Sequence, residues 1–198
     1  MSCEDKKPLK IAVTGPPAAG KSTILRMFAE EGVPVFSADE EVHKLSRPCQ
    51  KGFHQIIAKF GEEFLTPGGE LDRKRLLKAM LKDKKFKKAL EGIFHPLVKD
   101  RLIKWVNENQ GSSRLIAEIP LLYQAGWEVF FDKVIWVTAP EDVLIGRLTQ
   151  RLGDVSLARA LITRYFEDMP RKIFYDLKID GTILPEKIKK RLKEHDLL

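Results

Sequence analysis

The sharpest chemistry in the chain is carried by Gly15-Pro16-Pro17-Ala18-Ala19-Gly20-Lys21-Ser22-Thr23. The run satisfies G-x-x-x-x-G-K-[ST], the spacing of a loop that wraps a nucleotide polyphosphate. Small residues let backbone N–H groups turn inward at phosphate oxygens, and a helix that starts there adds its partial positive charge. Lys21 can reach the β and γ oxygens, and Ser22 offers a hydroxyl to Mg²⁺, a hard cation that keeps most of its waters. Pro16 and Pro17 have no N–H, so donors must come from Ala18 through Ser22 while the prolines stiffen the loop. A chance Gly-rich turn is the competing reading, and the flanking strand and helix patterns weigh against it.

Two carboxylates stand where such a loop could use them. Asp39 closes Phe36-Ser37-Ala38-Asp39, at the carboxyl end of a strand expected to neighbour the first. There it could accept a hydroxyl proton and aim the oxygen in phosphoryl transfer to an alcohol, or simply cap a helix beginning at Glu40. Glu118, just ahead of Pro120-Leu121-Leu122, occupies the place of an acid that faces Mg²⁺ or its waters, or else makes a strand-end salt bridge. Arg147 and Arg151 are four apart on one helical face, and both could reach phosphate oxygens. His95 reads as a helix cap or packed side chain more readily than as a ligand.

Positioning these groups takes a parallel sheet. Leu9–Thr14 is a short apolar run ending at Gly15, followed by Ile24, Leu25, Phe28 and Ala29 at helical spacing up to Gly32. Further strands are expected over 33–36, 115–117, 134–137 and, weakly, 177–179, with helical patterns between them. Alternation of this kind predicts an α/β fold, a five-stranded parallel sheet covered by helices on both faces, with ligands at the carboxyl ends of the strands. The long interval before the third strand cannot be one loop. It reads as several short amphipathic helices broken near Thr66-Pro67-Gly68-Gly69 and at Pro96. A second helical excursion, 141–172, carries five arginines and reads as a mobile cover.

Charge and composition narrow the class. The 198 residues carry a formal charge of +7, with 43% hydrophobic and 32% charged, enough apolar material for a folded core. Residues 71–104 hold twelve Lys or Arg against four acids, so that segment alone is +8 and the remainder is −1. A local basic patch argues against general nucleic-acid coating; it is either a solvated helix face or a surface for an anionic ligand. No apolar run approaches the ~18 residues of a membrane span, and the first seven residues lack a signal-peptide pattern. Cys3 and Cys49 cannot form a disulfide framework and are expected as free thiols in a cytoplasmic protein. The only asparagines, Asn107 and Asn109, leave no N-K-x-D tetrapeptide for reading guanine.

The ordered pattern resembles the dephospho-coenzyme A kinase family over residues 10 to about 193. It is carried by the phosphate loop, the 32–39 turn, Phe60-Gly61, Glu70-Leu71-Asp72-Arg73-Lys74-Arg75-Leu76, His95-Pro96-Leu97, Glu118-Ile119-Pro120-Leu121-Leu122, Ala125-Gly126-Trp127 and Arg147 to Arg151. The resemblance implies a P-loop kinase core over 9–54, 106–140 and 173–198, a helical acceptor-binding insertion over 55–105 and a lid over 141–172. It implies transfer of the γ-phosphate of ATP, with Mg²⁺, to the ribose 3′-hydroxyl of dephospho-coenzyme A. Asp39, Lys21 and Arg147 are then the expected catalytic groups. Gly15, Ala18, Ala19, Gly20, Lys21, Ser22, Thr23 and Arg151 hold the nucleotide, and Ser22 the metal; Arg73, His95, Glu118 and Leu121 fall on the acceptor side. The partners expected are these two small molecules, with no nucleic acid and no membrane; the oligomeric state is left open by the sequence, a monomer being favoured. The family usually has an acid where this chain has Ser37, a Gly-rich loop where it has Pro16-Pro17, a Glu at Gln124, and an Asn after Asp180, where Gly181 follows. Another P-loop kinase, for a nucleoside monophosphate or sugar acid, and a regulatory nucleotide-binding or nucleic-acid-binding module are the alternatives.

Overall fold

Runs rich in Val, Ile and Leu form strands here because a parallel sheet is buried on both faces, where branched side chains pack well. The computed structural model describes residues 7–198. Its strands are β1 (Leu9–Thr14), β2 (Val35–Ser37), β3 (Arg114–Glu118), β4 (Lys133–Thr138) and β5 (Leu177–Asp180). All pair in parallel in the order β2-β3-β1-β4-β5. That order corrects one expectation: β2 neighbours β3 and not β1. The three-residue β2, whose Val35 is 38% exposed, suits an edge, whereas β3 buries Leu115, Ile116 and Ala117 and takes an inner position. As a result Ser37, Glu118 and Val13 lie side by side on three adjacent strands.

The chain forms two compact units, one from residues up to Ser37 joined with Trp105–Leu198, the other Ala38–Lys104. In the first unit, α1 (Lys21–Glu30) lays Ile24, Leu25, Met27 and Phe28 against Ile11, Val13, Ile116, Ile135, Val137 and Ile179 of the sheet. The same core takes Leu144, Ile145 and Leu148 of α6 (Glu141–Leu152), Ala158 and Ile162 of α7 (Val155–Glu167), and Ile188 and Leu192 of α8 (Pro185–Glu194). The expected cover over 141–172 is therefore anchored by its own apolar residues. Phe28→Ala is expected to lower stability by about 3–5 kcal/mol, since Phe28 is fully buried. In a chain of this size that is a fall in Tm of about 10 °C, measured by calorimetry.

The second unit holds α2 (Ala38–Leu45), α3 (Lys51–Phe60), α4 (Arg73–Lys82) and α5 (Lys84–Glu108) up to Lys104. It starts at Ala38, earlier than the expected 55, because α2 is locked to the rest. A Cβ at Gly52 would stand 2.8 Å from both the Leu45 carbonyl oxygen and the Phe94 ring, a spacing only glycine permits. Phe86, the single apolar residue among five lysines, packs its ring 4.3 Å from Phe60 and 5.2 Å from Phe64 and so pins the basic segment. Pro96 does not break the chain as expected; it lies inside α5. Buried Ile93, Phe94, Val98 and Leu102 on both sides hold the helix together against the roughly 3 kcal/mol an interior proline costs.

Among the described residues no helix is long and apolar enough to cross a membrane. Cys49 is an exposed free thiol, and Cys3 lies outside the described residues.

Candidate functional site

β1 delivers the chain to the phosphate loop and α1 carries it away, so the loop is held at both ends by buried structure. Its start is pressed against β4: a Cβ at Gly15, φ +142°, would stand 2.0 Å from the Val137 carbonyl oxygen. Gly20, φ +105°, precedes the first residue of α1 in a left-handed conformation. Ala18 is also left-handed at φ 63°, a conformation that costs an L-residue about 1–2 kcal/mol and must be held by neighbours. The Ala19 N–H donates to Pro16 O at 3.3 Å and the Thr23 N–H to Gly20 O at 3.1 Å. The open first turn of α1, with Lys21 and Ser22, remains the donor-rich face expected of an anion cradle.

Lys21 is 6% exposed and folds back over its own loop, its Nζ donating to Gly15 O at 3.1 Å and Pro16 O at 3.0 Å. The same ammonium lies 3.9 Å from Glu118 Oε1. Glu118, itself 6% exposed, accepts a hydrogen bond from Ser37 Oγ at its other oxygen, 3.1 Å away. A line of ammonium, carboxylate and hydroxyl thus runs along the carboxyl edge from the start of α1 through β3 to β2. Glu118, expected as a metal-facing acid or in a salt bridge, neighbours Lys21 and Ser37. Ser37 was missed as a site residue, noticed only as a departure from an acidic residue. Ser37→Ala removes one donor from this buried carboxylate and is expected to lower stability by about 1.5–3 kcal/mol, read from urea unfolding. An unchanged midpoint would show that the hydroxyl does not hold Glu118.

Arg147, expected to reach phosphate, donates from Nη1 to Ala18 O at 3.1 Å and from Nη2 to Gly181 O at 3.1 Å. Gly181 follows β5 and extends its pairing, its N–H donating to Thr138 O at 2.7 Å. A Cβ on it would stand 1.7 Å from Ala19 O, so glycine is obligatory where the turn meets the loop. Asp180 Oδ1 accepts from Thr182 N at 2.8 Å and Oγ1 at 2.7 Å. Those bonds, first the hydroxyl's and then the amide's, hold the Asp180 carboxyl below its ordinary range, with Arg147 and Lys178 adding to the effect.

The remaining expected residues are placed as follows. Ser22 is exposed and Thr23 half-buried in the first turn of α1, Arg151 is exposed in the last turn of α6, and Leu121 is half-buried with its carbonyl accepting from Ala125 N at 2.9 Å. Within the helical unit Asp39 is exposed in the first turn of α2, which begins at Ala38, so Asp39 is not the cap considered for it. Arg73 is engaged with His43, bonding its ring and, at 3.4 Å, its carbonyl. Burial first, then Lys87, lowers the pKa of His95 against the opposing pull of Glu91, so this imidazole is neutral at pH 7. A neutral His95 can hydrogen-bond an acceptor without adding charge to it.

Comparison with known proteins points the same way as the cradle. The family model described as dephospho-CoA kinase matches residues 9–171. The chain is 40% identical to the dephospho-CoA kinase of Methylococcus capsulatus over 145 residues, 73% of each protein. It is 36% identical to that of Coxiella burnetii over 180 residues, 89% of this chain and 90% of that one. Its fold is similar to the crystal structure of TT1252 from Thermus thermophilus, with a TM-score of 0.74 at 25% identity and 96% of each chain covered.

Proposed function

This chain belongs to the dephospho-CoA kinase family, and from that membership we propose that it transfers the γ-phosphate of ATP to the ribose 3′-hydroxyl of dephospho-coenzyme A, releasing ADP and coenzyme A. The observation that carries the assignment of roles is the line of Lys21, Glu118 and Ser37 along the carboxyl edge of the sheet. In this reading the phosphate loop binds the polyphosphate through the open turn of α1, and Lys21 leaves the Gly15 and Pro16 carbonyls to meet the β and γ oxygens. Arg151, exposed on α6, offers a further cation to the same oxygens.

Asp39 is the base. It follows Ser37 by two residues in the sequence. Its carboxylate accepts the hydroxyl proton while the transferring group, little bonded to either oxygen, is stabilised mainly by charge and alignment. The exposed Ser22 hydroxyl at the loop and the carboxylate of Glu118 are hard oxygen donors of the kind Mg²⁺ prefers. Bound with ATP, Mg²⁺ would neutralise charge on the β- and γ-phosphates, held by Ser22 with Glu118 toward its waters.

The acceptor carries a pyrophosphate, and the +8 segment 71–104 supplies an attractive field for it. Arg73 and the neutral His95 of the helical unit are assigned to the acceptor, as is Leu121 of the other unit. The enzyme so described is cytoplasmic and monomeric, with two small-molecule substrates and no nucleic-acid partner; the domain roles are a nucleotide core, a helical acceptor unit and a lid drawn from α6 and α7.

An acceptor panel tests the reading. ADP release is followed with dephospho-coenzyme A, nucleoside monophosphates and sugar acids, and phosphorus NMR identifies the phosphorylated position. The expected result is a kcat/KM for dephospho-coenzyme A at least about 10²-fold above the others, with a new 3′-monophosphate resonance. A higher value for a nucleoside monophosphate or a sugar acid would overturn it.

A further inference from the structure

Both terminal nitrogens of Arg147 are directed at backbone, one at each of two loops. Nη1 bonds Ala18 O of the phosphate loop and Nη2 bonds Gly181 O of the turn after β5, each at 3.1 Å. We propose that Arg147 is a positioning residue: it ties the phosphate loop to the 180–183 turn and keeps the cradle in its binding shape before nucleotide arrives. The inference rests on the reading that residues 15–23 bind the polyphosphate of ATP, and it replaces the expectation that Arg147 itself meets the transferring group.

Three features make the tie effective. The base of the arm is fixed, because α6 buries Leu144, Ile145 and Leu148 on either side of Arg147 in the main core. The turn is fixed as well, through Gly181 N to Thr138 O at 2.7 Å and through the Asp180 carboxylate on Thr182. Finally, loop and turn touch directly. Gly181 has room for no side chain against Ala19 O, and a Cβ on Gly20 would lie 3.4 Å from Gly181 O. The Gly181 carbonyl is thus enclosed by Gly20 on one side and Arg147 on the other.

What the tie holds is the left-handed Ala18, whose carbonyl is turned outward to the guanidinium. Released from it, an alanine relaxes toward ordinary backbone angles, and the loop around Gly20 and Lys21 must then be reorganised by the nucleotide at the expense of affinity. A planar guanidinium can serve two carbonyls at once in fixed directions; a lysine ammonium at the same position cannot reproduce the pair. The residue therefore acts on ground-state binding. ATP and ADP, which share the phosphates cradled by the loop, should be weakened alike, whereas an arginine on the transferring group would act on turnover and on the γ-phosphate alone.

Calorimetric titration of ADP and of a non-hydrolysable ATP analogue against wild type, Arg147→Lys and Arg147→Ala tests this, alongside kcat at saturating ATP and dephospho-coenzyme A. Melting curves identify variants that fold; if Arg147→Ala does not, Arg147→Lys carries the comparison. The expected result is a Kd raised about tenfold for both nucleotides by the same factor, with kcat within about threefold of wild type and partial rescue of Arg147→Ala by added guanidinium. Unchanged ADP affinity overturns the tie, whether kcat then falls about a hundredfold, as for a phosphoryl contact, or only the melting temperature drops. Wild-type protein that binds neither nucleotide would remove the phosphate-loop reading itself, a failure separate from that of the tie.

Discussion

Asp39→Asn is expected to lower kcat by about 10²–10⁴-fold while ATP and ADP still bind. Asparagine matches aspartate in size and keeps an oxygen that can accept a hydrogen bond, but it cannot take up the acceptor's proton. The substitution also leaves the helix nearly intact, since Asp39 lies inside the first turn of α2 and its side chain is not the cap; the lost charge costs α2 only about 0.3–1 kcal/mol. Loss of turnover with retained nucleotide affinity therefore isolates proton acceptance. Steady-state kinetics with dephospho-coenzyme A, paired with ADP titration, decide the matter, and near-normal turnover removes Asp39 from the base role.

Lys21→Ala should be more damaging still to kcat/KM for ATP, by about 10³-fold or more. A single donor to developing charge contributes about 10²–10³ in kcat, and in the proposed role Lys21 would also bind the ground-state phosphates. Its ammonium already sits 3.0 Å and 3.1 Å from two loop carbonyls and 6% exposed, so the site is shaped to a point charge on a flexible stem. Lys21→Arg keeps the charge yet is not expected to restore more than a small fraction of activity, because a planar guanidinium presents forked donors in fixed directions where a compact ammonium on a flexible stem must swing from the loop carbonyls to the phosphate oxygens. Full activity in Lys21→Arg would show that only net charge matters there. The two variants separate the roles: Asp39 is read in kcat alone, Lys21 in kcat and nucleotide affinity together.

β1, β3 and β4 were legible because each is a short, mostly apolar run, whereas β5, Leu-Lys-Ile-Asp, alternates and reads weakly. The expected 115–117 lengthened to Arg114–Glu118 and 134–137 to Lys133–Thr138 once pairing partners existed to extend them. Pro96 misled because local propensity opposes a helix at that point, while Ile93, Phe94, Val98 and Leu102 reward its continuation, and tertiary packing outweighs the roughly 3 kcal/mol at issue. The edge position of β2 was not readable either. Which of two candidate strands lies beside β1 depends on burial of both faces, and three residues are too few to display it.

What the amino-acid order by itself determined is the cradle and its context: the spacing of Gly15, Gly20, Lys21 and Ser22 between a β-branched run and an amphipathic helix, and an acid two residues past the second strand. Those are local patterns, set by backbone geometry and side-chain chemistry within a few residues. Only the folded chain decided that Ser37 would bond Glu118 across strands 81 residues apart in sequence, and that Arg147 would join Ala18 to Gly181. Such contacts arise from strand order and helix docking, which depend on the summed burial of the whole core and leave no mark in any short window of sequence.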